Sequence, residues 1–333
     1  MFGLSSQIVP AHAGASGVPA PGSGGGWMKR EEAIMGTAIS VGLWSADRRA
    51  GESAIDAVMA EMHRIDHAMS PHKPESELSR INREAGFSAV PLTPEMTRLL
   101  LRADQFSQLT QGAFDITYAA VGRLYDYRAG IRPDAAQLAI ARAAVGYRYL
   151  QLDANAQTVR FTRQGMCIDL GGFAKGHAVD NATALLRQRG IEHAIVSAGG
   201  DSRVIGDRRG RPWTIGIRDP RRAGEMVAVL PLQDASISTS GDYERYFDAD
   251  GQRFHHLIDP ATGCSPSSLQ SVSILADDGL TCEALSKAVF ILGLERGMRL
   301  IDAQTHVDAV VVDAQGALHY SSGLMAPGVG VQH

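Results

Sequence analysis

The segment from Cys167 to Gly176 places a lysine shortly after two glycines, in the order Cys-Ile-Asp-Leu-Gly-Gly-Phe-Ala-Lys-Gly. This pattern predicts a β segment, a glycine turn and a helix whose first turn carries Lys175. Free N–H groups at a helix start and a nearby ammonium bind anions well, so one expectation is a phosphate or pyrophosphate site. The other is that the glycines only allow close helix packing and Lys175 is solvated. The spacing is not that of a P-loop.

Three further loops carry small or polar side chains. Gly112 to Thr117 sets Phe114 beside Asp115, which suits a ring system with hydrogen-bond donors. The alternative is that Phe114 belongs to the core and Asp115 caps a turn. Ala198 to Asp201 and Ser238 to Tyr243 each end a predicted strand with bare backbone and hydroxyls. Such loops often bind ligands, but ordinary turns have the same composition.

Two adjacent histidines, His255 and His256, fall in a predicted strand from Phe254 to Ile258. Successive strand residues point to opposite faces, so only one of the two can face a given site. A histidine near a carboxylate such as Asp259 could act as a general base toward a hydroxyl. A hydrogen-bonded structural histidine is the alternative.

The elements around these loops predict an α+β fold with mixed, largely antiparallel sheets flanked by helices, because strands come in groups rather than alternating with helices. In the first half we predict a strand at Gly36 to Trp44, an amphipathic helix at 53–69 and a helix opened by Thr93 and Pro94. In the second half helices are predicted at about 173–189 and 282–292. The remaining strands are predicted at Thr158 to Thr162, Ala194 to Ser197, Trp213 to Arg218, Met226 to Pro231, Ala235 to Thr239, Ser271 to Leu275 and Ala309 to Asp313.

Composition sets limits on the class of protein. The 333 residues include 32 Lys and Arg against 36 Asp and Glu, a formal charge of -4, without a basic and aromatic run that would follow nucleic acid. We find no apolar stretch long enough to span a bilayer. Cys167, Cys264 and Cys282 lack metal-site spacing, and a bridge between Cys264 and Cys282 stays open. Residues 1–26 are interpreted as a flexible leader or the remnant of an export signal, and 27–333 as a single domain.

Several of these segments, in this order, resemble the FAD:protein FMN transferase family over about residues 33 to 304. The segments that carry the resemblance are Met35 to Thr37, Ser76 to Asn82, Gly112 to Thr117, Asp169 to Gly176, Gly199 to Asp201, Ser240 to Asp242 and His256 to Gly263. The resemblance implies a tunnelling-fold-like α+β domain of two intertwined lobes. FAD would lie between the lobes, with magnesium at its pyrophosphate. FMN would move to a Ser or Thr of an acceptor flavoprotein in the periplasm or cell envelope, and AMP would leave.

Site residues follow from the resemblance by position. His256 would be the base that activates the acceptor hydroxyl, and Glu283 with the Gly172 carbonyl would hold the metal. The residues expected to contact FAD are Met35, His72, Ala113, Phe114, Asp115, Asp169, Lys175 and Leu257, the last through its backbone.

The chain departs from the family pattern at two places. His72 stands where the family has a tyrosine, and it either stacks on the flavin or is a surface turn residue. On the metal helix, Glu283 and Lys287 replace an Asp and a Thr or Ser. Lys287 cannot bind magnesium, so it either pairs with Glu283 beside a weakened metal site or puts an ammonium where the metal would be. Two other functions therefore stay open: an FAD pyrophosphatase that yields FMN and AMP, and a non-catalytic FAD-binding protein. Thr262, in a turn that resembles an acceptor sequence, is interpreted as structural.

Overall fold

A large antiparallel sheet forms the centre of the fold. The computed structural model describes residues 25–324, so nearly all of the predicted leader lies outside the described part. The α+β prediction is confirmed, and every strand pair in the described residues is antiparallel. Eight strands make the sheet, in the order β1(Gly26–Ile34), β2(Thr37–Ser45), β6(Ala194–Ala198), β7(Asp201–Ile205), β10(Ser236–Gly241), β13(Leu269–Ala276), β14(Val307–Asp313) and β15(Leu318–Tyr320).

The sheet begins with a tight hairpin. Ile34 pairs with Thr37, and Met35 and Gly36 between them have φ of 54° and 68°. Two left-handed residues are what a two-residue hairpin turn requires. The predicted strand at Gly36 to Trp44 is thus confirmed as β2. Its partner β1 was not predicted, because a run of charged residues from Lys29 to Glu32 is unusual in a strand and is tolerated here at the sheet edge.

Helices cover one face of this sheet. The predicted helices at 53–69, after Thr93, at 173–189 and at 282–292 are all present. The first begins earlier than predicted because Asp47 accepts hydrogen bonds from the N–H groups of Arg49 and Ala50. The helices are α1(Arg48–Met69), α2(Glu77–Glu84), α3(Pro94–Leu109), α4(Ala119–Gly122), α5(Ala135–Arg142), α6(Ala174–Gln188), α7(Gly279–Leu292) and α8(Leu294–Asp302). In the described residues, none is both long and apolar enough to cross a membrane.

Three smaller sheets complete the fold: β3(Val90–Pro91) with β5(Thr158–Phe161) and β4(Leu150–Asp153), then the pairs β8(Trp213–Arg218) with β9(Met226–Leu232), and β11(Tyr246–Ala249) with β12(Gln252–His255). Trp213 and Ile217 of β8 pack with Val204 and Ile237 of the large sheet, which gives it a second core. The strand predicted at Phe254 to Ile258 is wrong in its position. It ends at His255, because its partner begins at Tyr246, the residue paired with His255.

Helices α6 and α7 cross at two glycines. A Cβ on Gly176 would lie 2.4 Å from the Gly279 carbonyl oxygen, so no larger residue fits without a shift. Asp180 of α6 fixes the crossing by accepting the N–H groups of Gly279 at 2.8 Å and Leu280 at 3.1 Å. The crossing brings the next turn of α7, with Glu283, against the start of α6. All three cysteines are free, so the bridge between Cys264 and Cys282 is absent.

Candidate active site

A fully buried carboxylate lies at the start of α6. Glu283 has no exposed side-chain surface, and its Oε2 accepts the Gly176 N–H at 2.7 Å. Its Oε1 accepts a hydrogen bond from the Lys175 ammonium. The helix start therefore does attract an anion, but the carboxylate of the chain itself supplies it. Gly176 also allows close helix packing, and a phosphate or pyrophosphate at this helix start stays a prediction.

Lys175 joins α6 to the large sheet. Its Nζ lies 2.7 Å from Asp201 Oδ2 at the start of β7. Asp201 in turn accepts a hydrogen bond from Ser238, and Ser240 and Ser286 share another at 2.8 Å. Burial alone would lower the pKa of Lys175, but the Asp201 and Glu283 carboxylates outweigh burial and hold that pKa above its ordinary value. Lys175 is thus a fixed cation, not a solvated side chain.

A second lysine shares the same carboxylate. Lys287 Nζ lies 3.3 Å from both the main-chain oxygen and Oε1 of Glu283. Its side-chain carbons lie against Gly172, where an added Cβ would be 2.9 Å from Lys287 Cε. Burial lowers the pKa of Lys287; Glu283 opposes this shift and Lys175 adds to it. We call Lys175, Asp201, Glu283 and Lys287 the inner cluster.

The lysines of this cluster affect the pKa of His256. Burial and the positive charge of Lys287 lower the pKa of His256 to about 3, so the imidazole is neutral at pH 7. Its Nδ1 is buried and finds no hydrogen-bond partner within residues 25–324. His255 has a structural position instead: its Nε2 lies 2.8 Å from the Pro266 carbonyl oxygen and its ring packs edge-on against Phe290. The two histidines are thus separated, but not by alternation within a strand as predicted, because β12 ends at His255 and His256 lies just after it.

Asp169 lies beside the loop around Asp115. Its N–H donates to the Ile116 carbonyl at 3.0 Å, and Asn82 holds the preceding residue, Ile168, by two hydrogen bonds of 2.8 and 2.9 Å. Burial raises the pKa of Asp169, and the Gly171 N–H and the charge of the exposed His72 oppose the shift. His72 is an exposed turn residue, and its stacking on the flavin stays a prediction.

The loop of Ala113, Phe114 and Asp115 is held by its own side chains. Phe114 is buried and packs against Phe106 and Phe173. Asp115 accepts hydrogen bonds from Thr117 and, at 2.8 Å, from the Tyr147 N–H, while burial raises its pKa. Both side chains occupy the positions of the structural alternative. A contact with FAD from this loop would have to come from its backbone or from the half-buried Ala113.

Met35 and Leu257 approach from two other elements. Met35 is half-buried in the tip of the first hairpin, and the neighbouring Thr37 meets Gly199, whose N–H donates to the Ala38 carbonyl at 3.0 Å. The hairpin tip thus lies beside the glycine turn that precedes Asp201. Leu257 is buried in the main core next to His256, so its backbone is the part available to a ligand.

Comparison with known proteins agrees with this geometry. The family model of the ApbE family matches residues 35–311. The chain belongs to the ApbE family. A protein of Treponema pallidum named FAD:protein FMN transferase is 32% identical over 318 residues, 89% of this chain and 87% of its own length. The crystal structure of the ApbE protein of Thermotoga maritima has a TM-score of 0.83 at 31% identity and covers 90% of this chain and 98% of its own. The flavin transferase ApbE of Vibrio cholerae has a TM-score of 0.79 at 26% identity, with 90% and 98% covered.

The ApbE resemblance implies magnesium held by Gly172 and Glu283, and the residues present do not fit that ion. Magnesium requires several oxygen ligands in near-octahedral geometry at about 2.1 Å. Both Glu283 oxygens already accept hydrogen bonds: Oε1 from the two ammonium groups and Oε2 from the Gly176 N–H. Lys287 also lies against Gly172. No three His, Cys, Asp or Glu side chains among residues 25–324 are grouped to hold a metal.

Sequence reasoning missed two parts of this ApbE site. Asp201 was noted only as the end of a glycine turn, although a carboxylate directly after two glycines at a strand end was a usable signal. No sequence signal indicates Ser286, because its hydrogen bond with Ser240 depends on α7 packing against β10. The predicted contacts of FAD with the residues named above stay predictions.

Proposed function

We propose that this chain is an FAD:protein FMN transferase, which moves FMN from FAD to a Ser or Thr hydroxyl of another protein and releases AMP. One observation supports it most: two mostly buried lysines share the Glu283 carboxylate at the start of α6, and their charges help to keep His256 neutral. Phosphoryl transfer depends mainly on positioning and on neutralising phosphate charge, which these groups can supply. The membership of the ApbE family and the relatives named FAD:protein FMN transferase point to the same reaction.

The reaction exchanges one phosphorus–oxygen bond for another. The acceptor hydroxyl oxygen bonds to the phosphorus of the FMN half, and the bond from that phosphorus to the bridging oxygen breaks. AMP leaves with the bridging oxygen, and the hydroxyl proton goes to a base. Lys175 would hold the pyrophosphate through its fixed ammonium, and Asp201 and Glu283 keep that ammonium in place.

His256 is the candidate for the base. Its neutral ring and its unpartnered Nδ1 leave it able to accept a proton. The low pKa works against this; burial is its largest cause, and the charges of Lys287, Arg245 and Lys175 add to it. A bound pyrophosphate would offset those charges and raise the pKa toward the range useful for general base catalysis.

The two competing functions differ in their products. An FAD pyrophosphatase would use water in place of the acceptor and release free FMN with AMP. A binding protein would leave FAD intact. No contact in the described residues favours either of them over transfer to a protein hydroxyl.

The test is to incubate the purified protein with FAD and an acceptor domain that carries a flavinylation sequence, and to follow acceptor mass and AMP. The same domain with its acceptor Thr or Ser changed to alanine is the control. Transfer predicts the mass of an FMN phosphoryl group on the first domain only, with AMP released in equal amount. Free FMN and AMP with both domains would support the pyrophosphatase, and bound, unchanged FAD would contradict any enzyme.

We also propose that this protein, together with its acceptor, lies in the periplasm or cell envelope. The support is the family resemblance and the small-residue sequence Ala11-His12-Ala13, which lies outside the described residues. Fractionation of cells that produce the full chain tests it, with the protein expected in the periplasmic fraction and contradicted by a purely cytoplasmic one.

A further inference from the structure

The inner cluster has two ammonium groups where the ApbE resemblance implies a metal. Lys287 stands one helical turn after Glu283, and such a pair on a helix surface is usually a weak ion pair. Here the side chain of Glu283 has 0% exposure and that of Lys287 19%, so the pair is not a surface feature. Lys287 also contacts Gly172, the other residue expected to hold the metal.

The charges of the inner cluster are balanced without a metal. Lys175 and Lys287 carry two positive charges, and Asp201 and Glu283 carry two negative ones. A divalent cation at Glu283 would have to displace Lys287 and would then face two ammonium groups in a buried site. Charge repulsion is strong where water is excluded, so this arrangement disfavours the ion.

The Lys287 ammonium also has capacity for a ligand. An ammonium has three N–H donors, and two of its contacts in the described residues go to the same Glu283. The charge of Lys287 also helps to lower the pKa of the neutral His256. A phosphate oxygen between Lys175 and Lys287 would therefore meet positive charge from both.

We propose that Lys287 takes the place of a divalent cation at the FAD pyrophosphate, so that this chain transfers FMN without added magnesium. The inference rests on the proposed function and specifies its electrostatics. The bond changes are those given above. Lys287 and Lys175 neutralise the charge that develops on the AMP phosphate as the bridging bond breaks.

The test compares four proteins with EDTA and with saturating magnesium: the wild type, Lys287→Thr, Lys287→Met and the control Lys29→Thr, whose lysine is exposed on β1. AMP release and acceptor mass are followed. We expect wild type and Lys29→Thr to show equal rates in both conditions. Lys287→Met should lose about 100-fold in both, and Lys287→Thr about 100-fold in EDTA with partial recovery in magnesium. A wild-type rate that collapses in EDTA and returns with magnesium would overturn the proposal.

A second measurement does not depend on turnover. Manganese, a substitute for magnesium, is titrated into each FAD-loaded protein and its free concentration is read from the electron paramagnetic resonance signal. We expect no stoichiometric binding by the wild type and binding by Lys287→Thr. Stoichiometric binding by the wild type would contradict the role of Lys287, even with FMN transfer intact. If no protein transfers FMN, the proposed function fails, and the manganese result still decides whether Lys287 excludes the metal.

Discussion

Two ion networks flank helix α6, and they differ in access to water. The outer network consists of Glu61, Arg64, Glu95, His177 and Asn181 on α1, α3 and α6. Arg64 contacts Glu61 and Glu95 at 2.7 Å, but its side chain is 47% exposed. In the inner cluster no side chain exceeds 24% exposure, and Glu283 has none.

The comparison shows why similar contacts have different consequences. Exposed ion pairs are screened by water and contribute at most about 1 kcal/mol, whereas a buried charge that loses its partner costs about 3 to 5 kcal/mol. The outer network can therefore vary at little cost in stability. The inner cluster keeps two cations in a fixed, poorly hydrated position, which is the arrangement that phosphate chemistry needs.

The largest effect is expected at Glu283. Glu283→Gln removes the charge that Lys175 and Lys287 share and leaves two mostly buried ammonium groups with Asp201 as the remaining carboxylate. We expect the free energy of unfolding to fall by about 4 kcal/mol. Urea unfolding followed by circular dichroism measures it. A loss below about 1 kcal/mol, the range of surface pairs, would mean that the cluster is hydrated and would remove the contrast between the two networks.

Asp180 tests the crossing that positions the inner cluster. Asp180→Ala leaves the Gly279 and Leu280 N–H groups without their acceptor and removes the partner of the mostly buried Arg203. The expected loss is about 3 kcal/mol in the free energy of unfolding. Asp56→Ala, which removes an exposed partner of Arg30, is the matched control and should change stability by less than about 1 kcal/mol. Equal losses in the two variants would contradict the claim that Asp180 stabilises the crossing of α6 and α7.

His256 makes stability depend on pH. Its pKa of about 3 lies below the ordinary 6.5, so as pH falls the unfolded chain binds a proton before the folded chain does. The stability due to neutral His256 is complete above pH 6.5 and is lost progressively as pH falls from 6.5 toward 3. Unfolding of wild type and His256→Gln across this range should show a shallower pH dependence in the variant. Parallel curves would show that His256 is hydrated.

The smallest effect is expected in the outer network. Arg64→Met leaves Glu95 with His177 and Glu61 with Asn181, and the side chain that it removes is 47% exposed. We expect a loss of about 1 kcal/mol at low salt and less at high salt, because salt screens exposed charges. Urea unfolding at two salt concentrations measures this. A larger loss that salt does not change would mean that the outer network is as poorly hydrated as the inner cluster.

The sequence predicted the parts of the fold with strong local signals. The helix at 53–69 and the strand at Gly36 to Trp44 follow from periodicity, and the structure has both. Strand β1 was missed because its charged residues obscure the alternation of apolar and polar residues. The end of β12, the strand that contains His255, depends on where its partner β11 begins. At the site, Lys175, Glu283 and Lys287 were recognised individually. Lys175 and Lys287 share the Glu283 carboxylate because α6 and α7 cross at two glycines. This crossing joins positions about 100 residues apart.

FMN transfer by Lys175→Met tests directly whether the inner cluster is the site of reaction; it is measured as acceptor mass and AMP release and compared with wild type and with Arg64→Met from the outer network. We expect wild type and Arg64→Met to modify the acceptor and release equal AMP, while Lys175→Met, though folded, loses at least about 100-fold. Transfer by Lys175→Met at the wild-type rate would contradict the assignment of the inner cluster as the site of reaction.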